Sequence, residues 1–288
     1  MSPTVSVLTP SFGYGRFISD AIESVLKQNA AEIEHIVQDG ASRDDTVEVL
    51  GSYGDRIDWR SEPDKGQANA LNRAFSRANG EWIAWLNADE FYLPGALSQL
   101  VDAGRRSNAD VVYGDAVFVN EDGSFMRLLP QHRFSRYVLR SYGPFIPSCS
   151  VIFRRESLGS LPWDEQCRRI MDFELYLRLQ SEGRHFLYVP VPVGAFRVHE
   201  ARVTAQPAEP SSEEHATVRH RYGLNGPRQG KLSRGRVAHG LIKFIDGSYA
   251  RQRRASRSNA NDLRWFRGPE QNCAVLTLYR TSYPQLAQ

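Results

Sequence analysis

The feature that most constrains the fold is a short apolar run at residues 82–86 that ends in a cluster of polar side chains. The run is uncharged, follows an Asn-Gly turn dipeptide and is too short for a helix. It therefore predicts a strand buried on both faces. Asn87, Asp89 and Glu90 follow it directly. In open α/β sheets, ligands bind outside the carboxyl ends of strands, so this stretch predicts a ligand site at a strand end.

Two interpretations of these polar residues are open at this point. Carboxylate and amide oxygens at a strand end suit Mg²⁺ or Mn²⁺ holding a phosphate group. Alternatively, the residues form an ordinary strand-to-helix turn, in which Asp89 caps a helix that begins near Pro94.

Strands and helices alternate through the first half of the chain. Strands are predicted at residues 5–9, 35–38, 57–59 and 82–86, and helices at 17–26, 42–50, 65–78 and 94–107. This alternation predicts βαβ units and an α/β fold with a mostly parallel central sheet flanked by helices. The second half mixes short strands at 111–113, 116–119, 125–129, 149–153, 186–189 and 194–198 with a helix at 172–181.

Charge is divided unevenly along the 288 residues. From residue 216 onward there are 14 Lys/Arg against 3 Asp/Glu, whereas the first 215 residues hold 22 against 30. An acidic body with a basic tail indicates that the tail meets something anionic. A polar, Pro-rich stretch at 206–212 predicts the linker, followed by a helix at about 212–222 and an amphipathic segment at 233–254.

Other features bound the class of protein. No apolar run approaches the 18 or so residues of a membrane span, and no secretory signal peptide is predicted, since the N-terminus leads straight into a strand. Cys149, Cys167 and Cys273 are odd in number and far apart, which fits neither a disulfide framework nor a zinc site and indicates a reducing cytoplasm.

Five stretches carry a resemblance to a known family. They are residues 5–28 (VSVLTPSFGYGRFISDAIESVLKQ), 35–50 (HIVQDGASRDDTVEVL), 62–90 (EPDKGQANALNRAFSRANGEWIAWLNADE), 171–179 (MDFELYLRL) and 196–204 (FRVHEARVT). In this order they resemble the family 2 glycosyltransferases, which are inverting enzymes of the GT-A fold. The resemblance covers the chain to about residue 204 and implies a catalytic domain at 1–205, with a nucleotide-binding half at 1–90 and an acceptor half at 91–205. The linker and the charge division, not the resemblance, predict a basic helical extension at 206–288.

Three positions depart from the family pattern. Phe12-Gly13 stands where relatives often carry Tyr-Asn, and Leu71 stands where many have an arginine near the nucleotide. The metal motif is Asn87-Ala88-Asp89 rather than Asp-x-Asp. The last two departures remove groups that could contact a diphosphate, and Lys65 and Gln67 are candidates to compensate.

The nucleotide-binding candidates lie at the predicted strand ends. Thr9, Pro10 and Ser11 form the first of these, where the hydroxyls can bond the nucleotide and Phe12 offers an aromatic face to the base. Asp39, at the neighbouring strand end, can accept a base N–H. Ordinary packing for Phe12 and a turn or capping role for Asp39 are the alternatives.

Metal and base candidates complete the predicted site. Asp89 is the candidate ligand for Mn²⁺ or Mg²⁺, with Asn87 contributing at most a weak amide oxygen. The resemblance implies that His199 reaches the same metal or the diphosphate; the alternative is a surface pair with Glu200. Asp172, which opens a helix, is the candidate general base that the resemblance implies on the acceptor side, the alternative being a helix cap.

The basic tail has two open interpretations. Val237, Leu241, Ile245 and Tyr249 recur every four residues among many arginines. This row predicts either a helix on an anionic inner membrane face, near a lipid-linked acceptor, or a helix packed on the catalytic body or on a second subunit as a homodimer. No nucleic-acid-binding motif is present.

The predicted function is transfer of a sugar from a nucleotide-diphosphate sugar, with a UDP-sugar preferred, to a glycan, glycolipid or other acceptor. Two other classes compete with it. A glycoside hydrolase also uses paired carboxylates but needs no diphosphate site. A catalytically degenerate sugar-binding or scaffold protein would keep the fold, and Leu71 and Asn87 keep that alternative open. A Rossmann dehydrogenase is disfavoured, because no Gly-x-Gly-x-x-Gly follows the first strand.

Overall fold

The computed structural model describes residues 4–28, 32–200, 209–224 and 228–257. Within these residues the chain forms one sheet between layers of helices. The strands are β1 (Val5–Ser11), β2 (Ile33–Asp39), β3 (Asp58–Ser61), β4 (Trp82–Trp85), β5 (Phe91–Tyr92), β6 (Val111–Val119), β7 (Phe125–Leu129), β8 (Val151–Arg154) and β9 (Phe186–Arg197). The helices are α1 (Gly15–Leu26), α2 (Thr46–Ser52), α3 (Gln67–Arg77), α4 (Ala96–Ser107), α5 (Arg136–Ser141), α6 (Met171–Ser181), α7 (Glu209–Arg221), α8 (Arg228–Ile245) and α9 (Ser248–Arg257).

The sheet has a parallel half and a mixed half. Its order is β3-β2-β1-β4-β8-β6-β9-β5. In addition, β7 pairs with residues 116–119 of β6, beyond the part of β6 that pairs with β8. The pairs among β3, β2, β1 and β4 are all parallel, as predicted. Beyond β4 the β6–β9 pair is parallel, and the pairs of β4 with β8, β6 with β8, β6 with β7 and β5 with β9 are antiparallel. The α/β fold class is confirmed, with its parallel pairing concentrated in the first half.

Apolar side chains alternate between the two faces of the sheet. Along β4, Trp82 and Ala84 join a core with α1 and α4, whereas Ile83 and Trp85 join a core with α3, α5 and α6. This follows from the period of two along a strand. Burial on both faces explains why the run 82–86 carries no polar residue, as predicted.

The second half corrects several predicted boundaries. The segments 111–113 and 116–119 are one strand, β6, and the segments 186–189 and 194–198 are one strand, β9. The strand predicted at 149–153 begins at Val151, after a short helical turn at Ser148–Ser150. The helix predicted at 42–50 begins only at Thr46, because the Ser42 hydroxyl bonds Asp39 and the Asp44 carboxylate accepts the backbone N–H of Thr46.

The C-terminal helices pack on the body of the protein. Val218 and Leu224 from α7 and its C-terminal end join the core beneath α6, and Ala255 of α9 joins a cluster at the β7 end of the sheet. The amphipathic segment predicted at 233–254 is two helices, because the chain turns at Gly247 with a φ of +70°. Residues 206–208 of the predicted linker lie outside the described residues, and 209–212 belong to α7.

Candidate active site

Three polar strand ends meet at one edge of the parallel half. In the register of the sheet, Ser11 of β1 lies beside Asp39 of β2, and Leu8 of β1 lies beside Trp85 of β4. The backbone N–H of Gly40 donates to Ser11, and that of Leu86 donates to Leu8. The loops after β1, β2 and β4 are therefore neighbours, as ligand sites in α/β sheets require.

At the end of β1, one predicted side chain is well exposed. Thr9 is buried, and its hydroxyl lies 2.9 Å from Nε2 of His35 inside the sheet. Pro10 is buried as well, and the buried Ser11 hydroxyl has no hydrogen-bond partner in the described part of the chain. Phe12, by contrast, is 68% exposed. Phe12 thus presents its ring at the edge, whereas the Thr9 hydroxyl is committed to the core.

The Phe12 ring is accommodated because the neighbouring Gly40 has no side chain. A Cβ on Gly40 would come within 3.2 Å of the Phe12 ring and within 2.8 Å of a carboxylate oxygen of Asp64. Such separations are too short for a methyl group, so any larger residue would displace the ring or the carboxylate. Ala41, the next residue, has a positive φ of 63°, a conformation that a non-glycine residue adopts at some cost in energy.

Asp39 organises the loop after β2. Its buried carboxylate accepts three hydrogen bonds, from the Ser42 backbone N–H at 2.9 Å, the Ser42 hydroxyl at 2.5 Å and the Ser61 hydroxyl at 2.6 Å. Ser42 in turn accepts a hydrogen bond from the backbone N–H of Gly13. The carboxylate predicted to accept a base N–H is therefore engaged by the protein, and it ties the β2 loop to the β1 loop.

Gln67 reaches the end of β4, as the sequence suggested, and bonds Asn87 there. Its amide donates to Oδ1 of Asn87 at 2.6 Å, and the Trp85 indole donates to the same oxygen at 2.8 Å. Two donors fill that oxygen, so it is not available as the weak metal ligand proposed from sequence. Ala88 is buried, and Lys65 is exposed just before α3.

The two predicted metal ligands lie together. His199 follows β9 and is buried, and its Nε2 lies 2.8 Å from Oδ2 of Asp89, although 110 residues separate them. The ring of Phe17 lies 4.8 Å from the His199 ring, centroid to centroid. Arg197 donates to the backbone carbonyl of Asp89 at 3.0 Å and pairs with Asp20 at 2.6 Å. Both ends of the pair are thus held in place.

The donor set at this pair fits a divalent cation with two protein ligands. Two ligands on adjacent positions of an octahedral ion at about 2.1 Å lie about 3 Å apart, which is close to the Asp89–His199 separation. Imidazole suits Mn²⁺ better than Mg²⁺. Among the described residues, no group of three or more His, Cys, Asp and Glu side chains is arranged to hold a metal. The remaining ligands would therefore have to come from phosphate oxygens or water.

Glu90 and Arg197 also lie at the Asp89–His199 pair; the sequence analysis gave Arg197 no role and named Glu90 only among the polar residues after the strand. Burial, reinforced by the charge of Asp89, raises the pKa of Glu90 to about 8. Oε2 of Glu90 accepts hydrogen bonds from the Asn87 backbone N–H at 3.2 Å and the Ser148 hydroxyl at 3.3 Å. Glu90 therefore shapes the loop from beneath. In the sequence, the only indication of these contacts is position: Glu90 directly follows Asp89, and Arg197 lies two residues before His199.

Asp172 lies in the first turn of α6, as predicted, and is partly exposed. Its Oδ1 accepts the backbone N–H of Phe173 at 2.7 Å, and in the described part of the chain no side chain donates to it. Burial raises its pKa to about 6. The buried Tyr176 has a raised pKa because of its burial and, in addition, the charges of Asp172 and Glu90.

A cavity of about 640 Å³ lies away from these residues. It is lined by Glu81 at the start of β4 and Arg154 at the end of β8, together with Phe75 and Arg155. It thus opens at the opposite edge of the sheet from the β4 loop. The chemistry-bearing side chains instead surround the carboxyl ends of the strands.

Comparison with known proteins adds three findings. Residues 6–161 match the model of the family described as "Glycosyl transferase family 2". An uncharacterized glycosyltransferase of Rickettsia typhi is 27% identical over 216 residues, covering 70% of this chain and 66% of that protein. The chain spans between 27% and 66% of the length of the Rickettsia glycosyltransferases it matches.

Two solved structures share the fold. Staphylococcus aureus TarS 1–349, in complex with UDP-GlcNAc, has a TM-score of 0.64 at 16% identity and covers 100% of this chain and 93% of its own. The mannosyltransferase PcManGT of Pyrobaculum calidifontis, in complex with GDP-Man and Mn²⁺, has a TM-score of 0.55 at 15% identity, with coverage of 96% and 86%. At this identity, the likeness identifies the GT-A fold.

Proposed function

Because the chain belongs to glycosyl transferase family 2, we propose that it transfers a sugar from a nucleotide-diphosphate sugar to an acceptor hydroxyl, with inversion of the anomeric centre. The observation that carries this proposal is the Asp89–His199 pair at the carboxyl edge of the sheet. It lies beside the loops that end β1 and β2. We propose a UDP-sugar as the donor, by analogy with TarS, and a glycan, glycolipid or secondary metabolite as the acceptor.

The donor's base and ribose would bind at the ends of β1 and β2. The exposed ring of Phe12 can stack on a base, and the Ser11 hydroxyl, which has no described partner, can bond the ligand. Asp39 would act mainly by holding the loop through Ser42. Lys65, exposed before α3, supplies positive charge near the diphosphate.

The diphosphate would bind at the end of β4. Asp89 and His199 are the residues that would hold Mn²⁺ or Mg²⁺ there, and Gln67 keeps Asn87 turned toward Trp85. A bound divalent cation would stabilise the negative charge that develops on the leaving diphosphate. Arg197 fixes the carbonyl of Asp89, and Glu90 supports the loop, so the pair is positioned before a ligand arrives.

Asp172 is the proposed general base. Its raised pKa, about 6, leaves it ionised at neutral pH but close enough to neutrality to take a proton from a hydroxyl. Its carboxylate would accept the acceptor's proton as that oxygen attacks the anomeric carbon and the bond to the diphosphate breaks. Attack from the side opposite the leaving group inverts the centre.

We also propose the division into a catalytic domain at 1–205, with a donor half at 1–90 and an acceptor half at 91–205, and an extension at 206–288. A cytoplasmic location is proposed with it. No helix in the described ranges is long and apolar enough to span a membrane. A degenerate binding protein is the second candidate, since Asn87 replaces a carboxylate and its amide oxygen is already bonded.

Nucleotide binding tests the proposal directly. Thermal unfolding is measured with UDP, GDP, dTDP and CMP, each with and without Mn²⁺, for the native protein and the Asp89→Ala variant. One diphosphate should raise the melting temperature in a Mn²⁺-dependent manner, and Asp89→Ala should lose that dependence. Released nucleoside diphosphate is then measured with the matching sugar donor. Binding without turnover on any acceptor would favour the degenerate protein. Indifference to every nucleotide would contradict the transferase proposal and favour a degenerate sugar-binding or scaffold protein.

A further inference from the structure

Helix α8 has two apolar faces, and the protein covers one of them. The covered face packs on α5 and the core beneath it, through Ala238 and Ile242. At Gly235 the approach is so close that a Cβ would lie 2.7 Å from the Ser141 hydroxyl and 2.8 Å from the Tyr142 backbone nitrogen. Glycine is therefore required for this packing, and α8 is seated firmly on the body.

Charged groups lock the turn between α8 and α9 to the sheet. Arg251 lies 3.3 Å from the buried carboxylate of Asp115, and Asp246 accepts the backbone N–H of Arg133 at 2.7 Å. The Ser248 hydroxyl donates to the carbonyl of Gln131 at 2.6 Å. These contacts fix which side of α8 faces outward.

The outward face carries Val237, Leu241 and Ile245 of the apolar row predicted from sequence, together with Phe244. Val237, Leu241, Phe244 and Ile245 are 62%, 57%, 74% and 78% exposed. Their spacing of four, three and one residues is that of a single helical stripe. The structure thus confirms that α8 packs on the body, but Ala238 and Ile242 make that contact rather than the exposed row.

Positive charge surrounds the exposed stripe. Residues 228–257 contain nine Lys/Arg and one acidic residue, Asp246, which is held by Arg133. Arg234, Arg236 and Arg253 are exposed beside the stripe or on α9. A helix with an apolar outer stripe flanked by arginines matches a surface that is itself apolar beneath a layer of negative charge.

We propose that the outer face of α8, defined by Val237, Leu241, Phe244 and Ile245 with its flanking arginines, binds an anionic lipid surface. The four side chains enter the boundary between headgroups and acyl chains, and the arginines lie among the anionic headgroups. This binding does not depend on the proposed catalytic function, although it would bring the active site to acceptors embedded in that surface.

Charge complementarity favours lipid over the other occupants. A second copy meeting this face through a two-fold axis would bring the same arginines against one another, which opposes association. Residues 258–288 contain three arginines and two acidic residues, so this segment offers no excess of negative charge to match the face. An anionic bilayer supplies both the apolar layer and the charge.

Co-flotation of the full chain with vesicles tests the proposal. The native protein should float with phosphatidylcholine vesicles containing about 30% phosphatidylglycerol and remain unbound to pure phosphatidylcholine. Binding should fall steeply between about 0.05 and 0.5 M salt, as screening shortens the reach of the arginines. A variant with Arg234, Arg236 and Arg253 changed to Gln should partition roughly 100-fold more weakly.

The apolar stripe needs its own variant and a matched control. Leu241→Ser combined with Phe244→Ser should weaken partitioning by at least about 10-fold even at low salt. Leu161→Ser removes an equally exposed leucine, 70% exposed and not on α8, and should bind vesicles as the native protein does. The melting temperatures of all variants are compared with the native value to show that they are folded.

Three outcomes would overturn the proposal. The first is absence of flotation with anionic vesicles. The second is flotation that the serine variant retains in full, since that would be binding by charge alone elsewhere on the protein. The third is a concentration-dependent dimer, seen by light scattering without lipid and abolished by Leu241→Ser, because it would assign the face to a second copy of the chain.

Discussion

Two carboxylates, the fully buried Asp115 in β6 and the partly exposed Asp172 in α6, have opposite surroundings. Asp115 accepts hydrogen bonds from the Gln131 backbone N–H at 2.7 Å and the Tyr188 hydroxyl at 2.6 Å, and it pairs with Arg251. Asp172 accepts one backbone N–H and, within the described ranges, faces no cation. The first arrangement stabilises a buried charge, and the second leaves its charge costly and raises the pKa of Asp172.

The difference in surroundings indicates a structural role for Asp115 and is consistent with the chemical role proposed for Asp172. Where α9 joins the sheet, the buried Asp115 has two hydrogen-bond donors and a cation, and the result is a fixed connection. At the start of α6, no cation among the described residues pairs with Asp172, and its raised pKa of about 6 lets it gain a proton near neutral pH. Perturbed groups of this kind concentrate at functional sites, because a fully compensated carboxylate would be a poor base.

The largest expected effect comes from removing the uncompensated carboxylate. Asp172→Asn should lower turnover by between about 100- and 10,000-fold, the range typical of a lost general base. Donor affinity, measured by calorimetry, should stay within about twofold of the native value. Glu182→Gln, at the other end of the same helix, is the matched control and should retain native turnover. Native turnover in Asp172→Asn would remove Asp172 from the mechanism.

The second largest effect is expected from removing Arg251, the cation that pairs with Asp115. Arg251→Ala leaves Asp115 buried without its cation and should destabilise the protein by about 3–5 kcal/mol. At roughly 2–4 °C per kcal/mol for a chain of this size, the melting temperature should fall by about 10 °C. Arg253→Ala, exposed on the same helix, should change stability by less than about 0.5 kcal/mol. Equal melting temperatures for the two variants would show that the pair is not structural.

A pH profile sharpens the comparison from the functional side. Since burial raises the pKa of Asp172 to about 6, protonation disables the proposed base below that value. The logarithm of kcat/KM should fall with a slope approaching one per pH unit below about pH 6 and level off above it. The profile is measured between about pH 4.5 and 8 at saturating metal. A plateau that extends below about pH 5 would contradict the assignment.

The smallest effect concerns stability. The folded-state pKa of Asp172 is raised from the ordinary 3.8 to about 6, so the folded chain holds a proton that the unfolded chain releases. Stability is therefore lost as pH rises through this window, and the loss is complete above about pH 6. Asp172→Asn removes the loss and should melt a few degrees higher than native at pH 7.5, with a smaller difference near pH 3.5. The opposite sign would mean that Asp172 is compensated after all.

Much of the fold could be predicted because its signals are local. The strand at 82–86 and the helices around it follow from apolar periodicity within ten or so residues. The sequence predicts two strands, at 111–113 and 116–119, in place of β6, because Gly114 and Asp115 are residue types that usually end a strand. Both residues are accommodated in the strand by contacts with residues far along the chain. Gly114 lies against Val193 and the Val191 carbonyl of β9, and Asp115 pairs with Arg251. A local sequence pattern cannot reveal contacts with residues that lie about 75 to 135 positions away.

The candidate site divides in the same way. Asp89 and His199 were named from motifs, and the structure brings them within 2.8 Å. For Thr9 and Asn87, residue type predicted a free polar atom, but neighbours that the sequence does not reveal, His35 and Gln67, already use those atoms. Sequence thus identified which residues gather at the strand ends, and it could not show which polar atoms are left for a ligand.

The close contact at Gly235 fixes the orientation of α8 relative to the body of the protein. Because α8 meets α5 with no room for a side chain between them, the helix cannot rock on the body without breaking that contact. Any flat surface on which its outer face rests would therefore hold the strand-end edge at a constant height and tilt. Changing Gly235 to alanine would shift the helix outward, and the strand-end edge would then face the surface at a different angle, even with every residue of the proposed site unchanged.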